Sequence, residues 1–159
     1  MLVFNSKGYL VPNTNIISDL SELETEFVSN IISDKRISLF ANYLQYSKEL
    51  KSYLDGAALL QWIDGSFVTK KKDPGDIDLV TFIDVEWANN LGTDIDKFKY
   101  PSSSDLYGVD AYLVKIYNRE HKKYPLYKGD RTYWMDKFDK TYRNRLGQKS
   151  PKGFIEIIF

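Results

Sequence analysis

Apolar positions along the chain alternate between two periods. Leu20, Leu23, Phe27 and Ile31 recur at helical spacing, and Ser21 with Glu24 three residues on forms a capping-box pattern. A helix is predicted over about Leu20 to Ile32. A second helix, N-capped by Asp34, is predicted to run to about Leu54. Leu39, Tyr43, Tyr46, Leu50 and Tyr53 make its stripe, and Phe40, Leu44 and Leu54 widen it into a face suited to a sheet. Asp55-Gly56 closes it.

Continuous apolar runs then take over. Ala57 to Ile63, interrupted only by Gln61, and Leu79 to Ile83 read as strands covered on both faces. Asp84 to Asn90 reads as a short helix capped after the strand and closed by Gly92. Thr93 to Asp105 is polar and reads mostly as loop. Val109 to Tyr117 is a third strand. Arg119 to Tyr127 is broken by Pro125, and Asp130 caps a last helix with Trp134, Phe138 and Tyr142 on one side. Gly153 to Phe159 closes the chain as a strand. Residues 1 to 17 have no strong period and read as an arm lying on the domain.

The length of 159 residues favours one domain, with no internal repeat and no low-complexity linker. Lys plus Arg and Asp plus Glu both number 22, which excludes attachment to nucleic acid by bulk charge and leaves only a local basic patch. With no Cys and one His, His121, thiolate and multi-histidine metal sites are excluded. Any metal is held by oxygen, which points to Mg²⁺ or Mn²⁺. The chain starts without a secretory pattern and has no membrane-length apolar run, so a cytoplasmic location is the expectation.

The candidate chemistry lies between Trp62 and Phe82. Asp76-Ile77-Asp78 opens an apolar run. If the strand includes both carboxylates, they project from one face about 6.6 Å apart. Asp110 sits near the start of the third strand and can join them at one sheet edge, where a divalent cation would offset the cost of burying like charges. Gly65-Ser66 ends the preceding run. Glycine admits close backbone approach, and a helix starting near Ser66 would make an anion site. Lys70-Lys71-Lys72 reads either as a solvated loop or as a contact to a triphosphate or RNA backbone. Arg143, Arg145, Lys149 and Lys152 form a second basic stretch that can meet an acceptor RNA.

Gly65-Ser66, nine intervening residues, Asp76-Ile77-Asp78 and the later Asp110 together resemble the signature of the DNA polymerase β-like nucleotidyltransferase superfamily. The chain is most similar to its minimal members, which include bacterial antitoxin and toxin types. Many of those follow Gly-Ser with a small residue and Arg-Gly, whereas Phe67-Val68 stands here. The resemblance covers about Ala57 to Tyr117. It implies an α/β (α+β) fold with a small mixed sheet flanked by helices, as in the polymerase β palm. It also implies two metal ions on Asp76, Asp78 and Asp110, and phosphates of an NTP at Gly65 and Ser66; Lys70, from the lysine run, is the further candidate for those phosphates. The expected activity is transfer of an NMP, with AMP from ATP as first candidate, to a hydroxyl of protein or RNA, in a setting that includes toxin–antitoxin or phage-defence systems. A decayed scaffold acting as an antitoxin or binding partner, and a toxin-type enzyme extending tRNA ends, are the alternatives. Asp94-Ile95-Asp96 has the same spacing but no Gly-Ser before it and no strand after it, and carries no expected function.

Overall fold

The computed structural model describes the whole chain, Met1–Phe159. It is a mixed α/β arrangement of two sheets with helices. The smaller sheet is a hairpin of β1 (Val3–Phe4) and β2 (Leu10–Val11). The larger has five strands in the order β3 (Asn15–Ile17), β7 (Phe154–Ile158), β4 (Leu60–Asp64), β5 (Asp78–Asp84) and β6 (Asp110–Ile116). The β3–β7 and β5–β6 pairs are parallel, and β4 runs antiparallel to both of its neighbours.

Each central strand buries both faces, as its unbroken apolar run requires. One face carries Ile63, Leu79, Ala111 and Ile155 and packs on α2 (Asp34–Tyr53) through Leu39, Tyr43, Tyr46 and Leu50. Gln61, the polar interruption of the β4 run, faces the same way. It accepts from Tyr43 Oη at 2.8 Å and donates to Ser47 Oγ at 3.0 Å and Thr81 Oγ1 at 3.2 Å, which satisfies a buried amide. The other face carries Trp62, Val80, Phe82, Val114 and Phe154. It is closed by Trp134 and Phe138 of α5 (Tyr124–Phe138).

Several boundaries differ from the sequence expectations. Asp19, not Ser21, caps α1 (Leu20–Glu24) by accepting from the Glu22 amide, and the helix continues as one π turn over Thr25–Ser29. Ser33, one residue before Asp34, caps α2. After α3 (Val85–Asn90), the stretch expected to be loop holds a 3₁₀ turn, Gly92–Phe98, and α4 (Ser102–Tyr107). Ile95, Phe98 and Tyr107 are buried there, so apolar anchors outweigh the polar composition. Pro125 does not break a helix but begins α5, since a first-turn residue needs no amide hydrogen; Asp130 is therefore internal to α5 and Tyr142 lies beyond its end. The first 17 residues are more than an arm, because β3 adds an edge strand beside β7. No helix is long and apolar enough to cross a membrane.

Candidate functional site

Three adjacent strands bring three carboxylates into one row. Asp64 ends β4 and pairs across the antiparallel ladder with Asp78, which begins β5. Asp78 in turn pairs across the parallel ladder with Asp110, which begins β6. Residues facing each other across a ladder point to the same side, with strands about 4.8 Å apart. The row therefore lies on the α5 side of the sheet, one step beyond Trp62, Val80 and Tyr112. Asp64 and Asp78 are buried and Asp110 is half-buried.

Asp76 precedes β5 rather than lying within it, and it is the first of the charged groups that act on Asp78. Its Oδ1 accepts from the Ser66 amide at 2.9 Å and from Ser66 Oγ at 2.6 Å. Ser66 Oγ also accepts from the Gly75 amide at 2.9 Å. No helix starts at Ser66; a turn leads into the loop, and Ser66 and Asp76 staple the ends of that loop together.

Gly65 makes this closure feasible. Its φ is +83°, and a Cβ there would stand 3.0 Å from the Asp78 amide and 3.1 Å from both the Asp76 carbonyl and Asp78 Oδ2. Gly65→Ala is expected to cost about 1–3 kcal/mol through backbone strain and displacement of the β5 start. Urea unfolding at equilibrium measures this.

Lys152 lies elsewhere than its basic neighbours suggest. Arg143, Arg145 and Lys149 are exposed, but Lys152 is 5% exposed and donates to Asp64 Oδ1 at 2.6 Å and to the Gly65 carbonyl at 3.1 Å. It belongs to the site rather than to an outer basic surface. Burial raises Asp64 to about 6, with Lys152 opposing the shift. Asp78 is raised further, to about 7, by burial first and then by Asp76, Asp64 and Asp110. Asp78 Oδ2 is buried with no hydrogen-bond partner.

A cleft of about 890 Å³ opens beside Asp64, Gly65, Ser66 and Asp76. The hairpin turn at Asn5–Gly8, the loop after Ser66 and the segment following α5 form its walls, which carry Lys7, Lys70, Lys71, Lys137, Lys140 and Lys152. Lys70 pairs with Glu26 at 3.2 Å and lies 4.0 Å over the Phe4 ring, so its ammonium is held at the cleft wall. Tyr142, a largely exposed side chain, also faces the cleft; partial desolvation, then Asp78, Asp76 and Asp64, push its hydroxyl up to about 12.

As the side chains stand, no three acidic or histidine groups enclose a single cation position. The donor chemistry nonetheless fits a hard divalent cation. Every candidate ligand is a carboxylate oxygen, and one of them is buried without a hydrogen-bond partner. The Asp94–Asp96 pair lies on the 3₁₀ turn, where Asp96 pairs with Lys99 at 2.7 Å.

Sequence reasoning missed Asp64 and Arg36, and it placed Lys152 in a basic stretch for an acceptor RNA rather than beside Asp64. Arg36, from α2, is wholly buried and bonds the carbonyls of the loop after Ser66. The one available signal for Asp64 was an acid ending an apolar run directly before Gly65-Ser66.

No curated protein and no solved structure matches the chain. A family model does match, across residues 2–158, and on that near-complete span the protein belongs to DUF6932, a family of unknown function.

Proposed function

We propose that the protein is a metal-dependent nucleotidyltransferase with a polymerase β-like core, moving an NMP, with AMP from ATP as first candidate, onto an acceptor hydroxyl. The observation that carries this reading is the buried, unpartnered Asp78 Oδ2 between Asp64 and Asp110, next to a lysine-walled cleft. Asp78 and Asp110 would hold Mg²⁺ or Mn²⁺, joined by the Asp76 oxygen not bonded to Ser66. Such a cation supplies charge neutralisation at the phosphate oxygens and at the attacking and leaving oxygens.

The remaining work belongs to the chain. Lysines of the cleft meet the β- and γ-phosphates, which leave together as pyrophosphate when the acceptor oxygen bonds to the α-phosphorus. Asp110, half-buried on the edge strand, takes the acceptor proton. Lys152 neutralises Asp64, which limits the negative charge that an incoming triphosphate meets. Gly65 and Ser66 hold the turn beside the phosphates, with Ser66 tied to Asp76.

The test is incubation with Mg²⁺ or Mn²⁺ and each of four labelled NTPs, together with RNA and protein acceptors. Label should move to an acceptor and be lost in Asp110→Asn, while calorimetry still shows nucleotide binding to that variant. Transfer unaffected by Asp110→Asn would end the reading. A second reading, a scaffold that binds nucleotide without turnover, is favoured by the engagement of Ser66 with Asp76; Mg-ATP binding with no transfer to any acceptor selects it.

A further inference from the structure

Asp110 and Tyr112 are two residues apart on β6 and share one face of the sheet. A line of rings leads outward from Tyr112. Tyr100 stacks against it with centroids 5.9 Å apart and planes 26° from parallel, and Trp134 lies 4.5 Å away. Tyr133 follows at 5.2 Å from Trp134. Trp134 is buried, but Tyr100 is 52% and Tyr133 59% exposed. Lys137 Nζ sits among the same rings, 4.7 Å from Trp134, 5.4 Å from Tyr112 and 5.9 Å from Tyr133. The neighbouring acid on α5, Asp136, is paired with Lys140, so Lys137 keeps its charge for this surface. β6, which begins with the half-buried Asp110, is the edge strand of the sheet.

We infer that this strip receives the single-stranded end of a nucleic acid, whose bases stack on the exposed rings of Tyr100 and Tyr133 while a backbone phosphate meets Lys137. The last nucleotide then presents its terminal hydroxyl at Asp110. The inference rests on the nucleotidyltransferase reading for that step and names the acceptor class it leaves open. Rings aligned with a cation suit unpaired bases, since every base offers a π-face and a duplex hides it. Phenol rings exposed at Tyr100 and Tyr133 beside the Lys137 ammonium offer what unpaired bases and a phosphate take. The zero net charge of the chain is consistent with contact through a few local cations rather than through bulk charge.

The test is fluorescence anisotropy with a labelled single-stranded RNA and a labelled single-stranded DNA of about ten nucleotides, and with their duplexes. The intact chain should bind single strands, more weakly as salt rises, and prefer them to duplexes. Tyr100→Ala with Tyr133→Ala should weaken binding about tenfold or more, given the contribution of each stacked base. Lys137→Gln should flatten the salt dependence. The Tyr variant should keep the unfolding midpoint of the parent and its Mg-ATP binding by calorimetry, because Tyr100 and Tyr133 line neither the carboxylate row nor the lysine-walled cleft. Equal affinity in the Tyr variant, duplex binding as tight as single-strand binding, or no oligonucleotide binding at all would overturn the inference. With Mg-ATP binding intact, such a failure leaves the nucleotidyltransferase reading standing; loss of nucleotide binding and transfer, with the strip still binding single strands, would sink that reading alone.

Discussion

Asp78→Asn is expected to make the metal-free protein more stable at pH 8 while removing its response to Mg²⁺ or Mn²⁺. The ordinary carboxyl value is 3.8, and in the folded chain Asp78 stands at about 7 because of burial and its acidic neighbours. Between those values the native state holds a proton that the unfolded chain has released. The stabilisation is therefore complete below about pH 4 and is lost as pH rises through 7, at about 1.4 kcal/mol per pH unit. By pH 8 the ionised Asp78 has cost the native state on the order of 4 kcal/mol, a burden that the neutral amide does not share. For a chain of this size that is roughly 8 °C or more in unfolding midpoint. Asp64 is shifted in the same direction, to about 6, so the variant should keep a smaller decline that ends near pH 6.

Thermal unfolding in chelator from pH 4 to pH 8 measures both effects. Added Mn²⁺ at pH 8 should raise the midpoint of the parent chain, since binding to the native state alone stabilises it, and should leave the Asn variant where it was. A variant less stable than its parent at pH 8, with a parent profile flat in pH, would show that Asp78 carries no uncompensated charge. The cation argument would fall with it. The residue that costs the empty fold most is thus the one on which the proposed activity depends.

Parts of this site were legible in the chain and parts were not, for a physical reason that differs by residue. Asp78 and Asp110 stood out because each opens an apolar run, and a strand covered on both faces is nearly free of polar residues. The pairing of Asp64 with Asp78 depends on the antiparallel register of β4 and β5, which no local pattern encodes. Lys152 was grouped with Arg143, Arg145 and Lys149 because charge alone cannot separate an exposed cation from a buried one; the return of the chain into β7 does so. The loop expected over Thr93–Asp105 failed differently. Ile95, Phe98 and Tyr107 anchor it against Tyr46 and its neighbours, with Tyr46 Oη donating to the Phe98 carbonyl at 2.9 Å. Two anchors within the polar stretch, Ile95 and Phe98, with Tyr107 just beyond it, are too few to raise a periodic signal.

Arg36 has the largest single expected cost. Its guanidinium is wholly buried and donates to five main-chain carbonyls: Phe27 at 2.9 Å, Phe67 at 2.8 Å, Thr69 at 2.6 Å, Lys72 at 3.2 Å, and Lys71. Four of those carbonyls belong to the loop joining Ser66 to Asp76. Ser33 Oγ adds a bond to Asp73 at 2.7 Å, so the start of α2 holds the far side of the same loop. Burial lowers Arg36 to about 10, with Asp73 opposing, which leaves it charged at neutral pH. Arg36→Met keeps the length of the stem and removes every donor, stranding buried carbonyls at an expected cost of about 3–5 kcal/mol. Lysine should recover only part, because one ammonium cannot serve acceptors spread around a planar fork. Urea unfolding gives the global cost, and amide exchange should quicken most in residues 67–73, before the β4–β5 ladder is affected. A loss below about 1 kcal/mol, with exchange unchanged there, would show that the loop holds its shape without Arg36. That shape sets where Lys70 and Lys71 stand relative to Asp76. The basic spacer between turn and carboxylates is then a rigid wall of the cleft, held from behind by an arginine that never reaches the ligand.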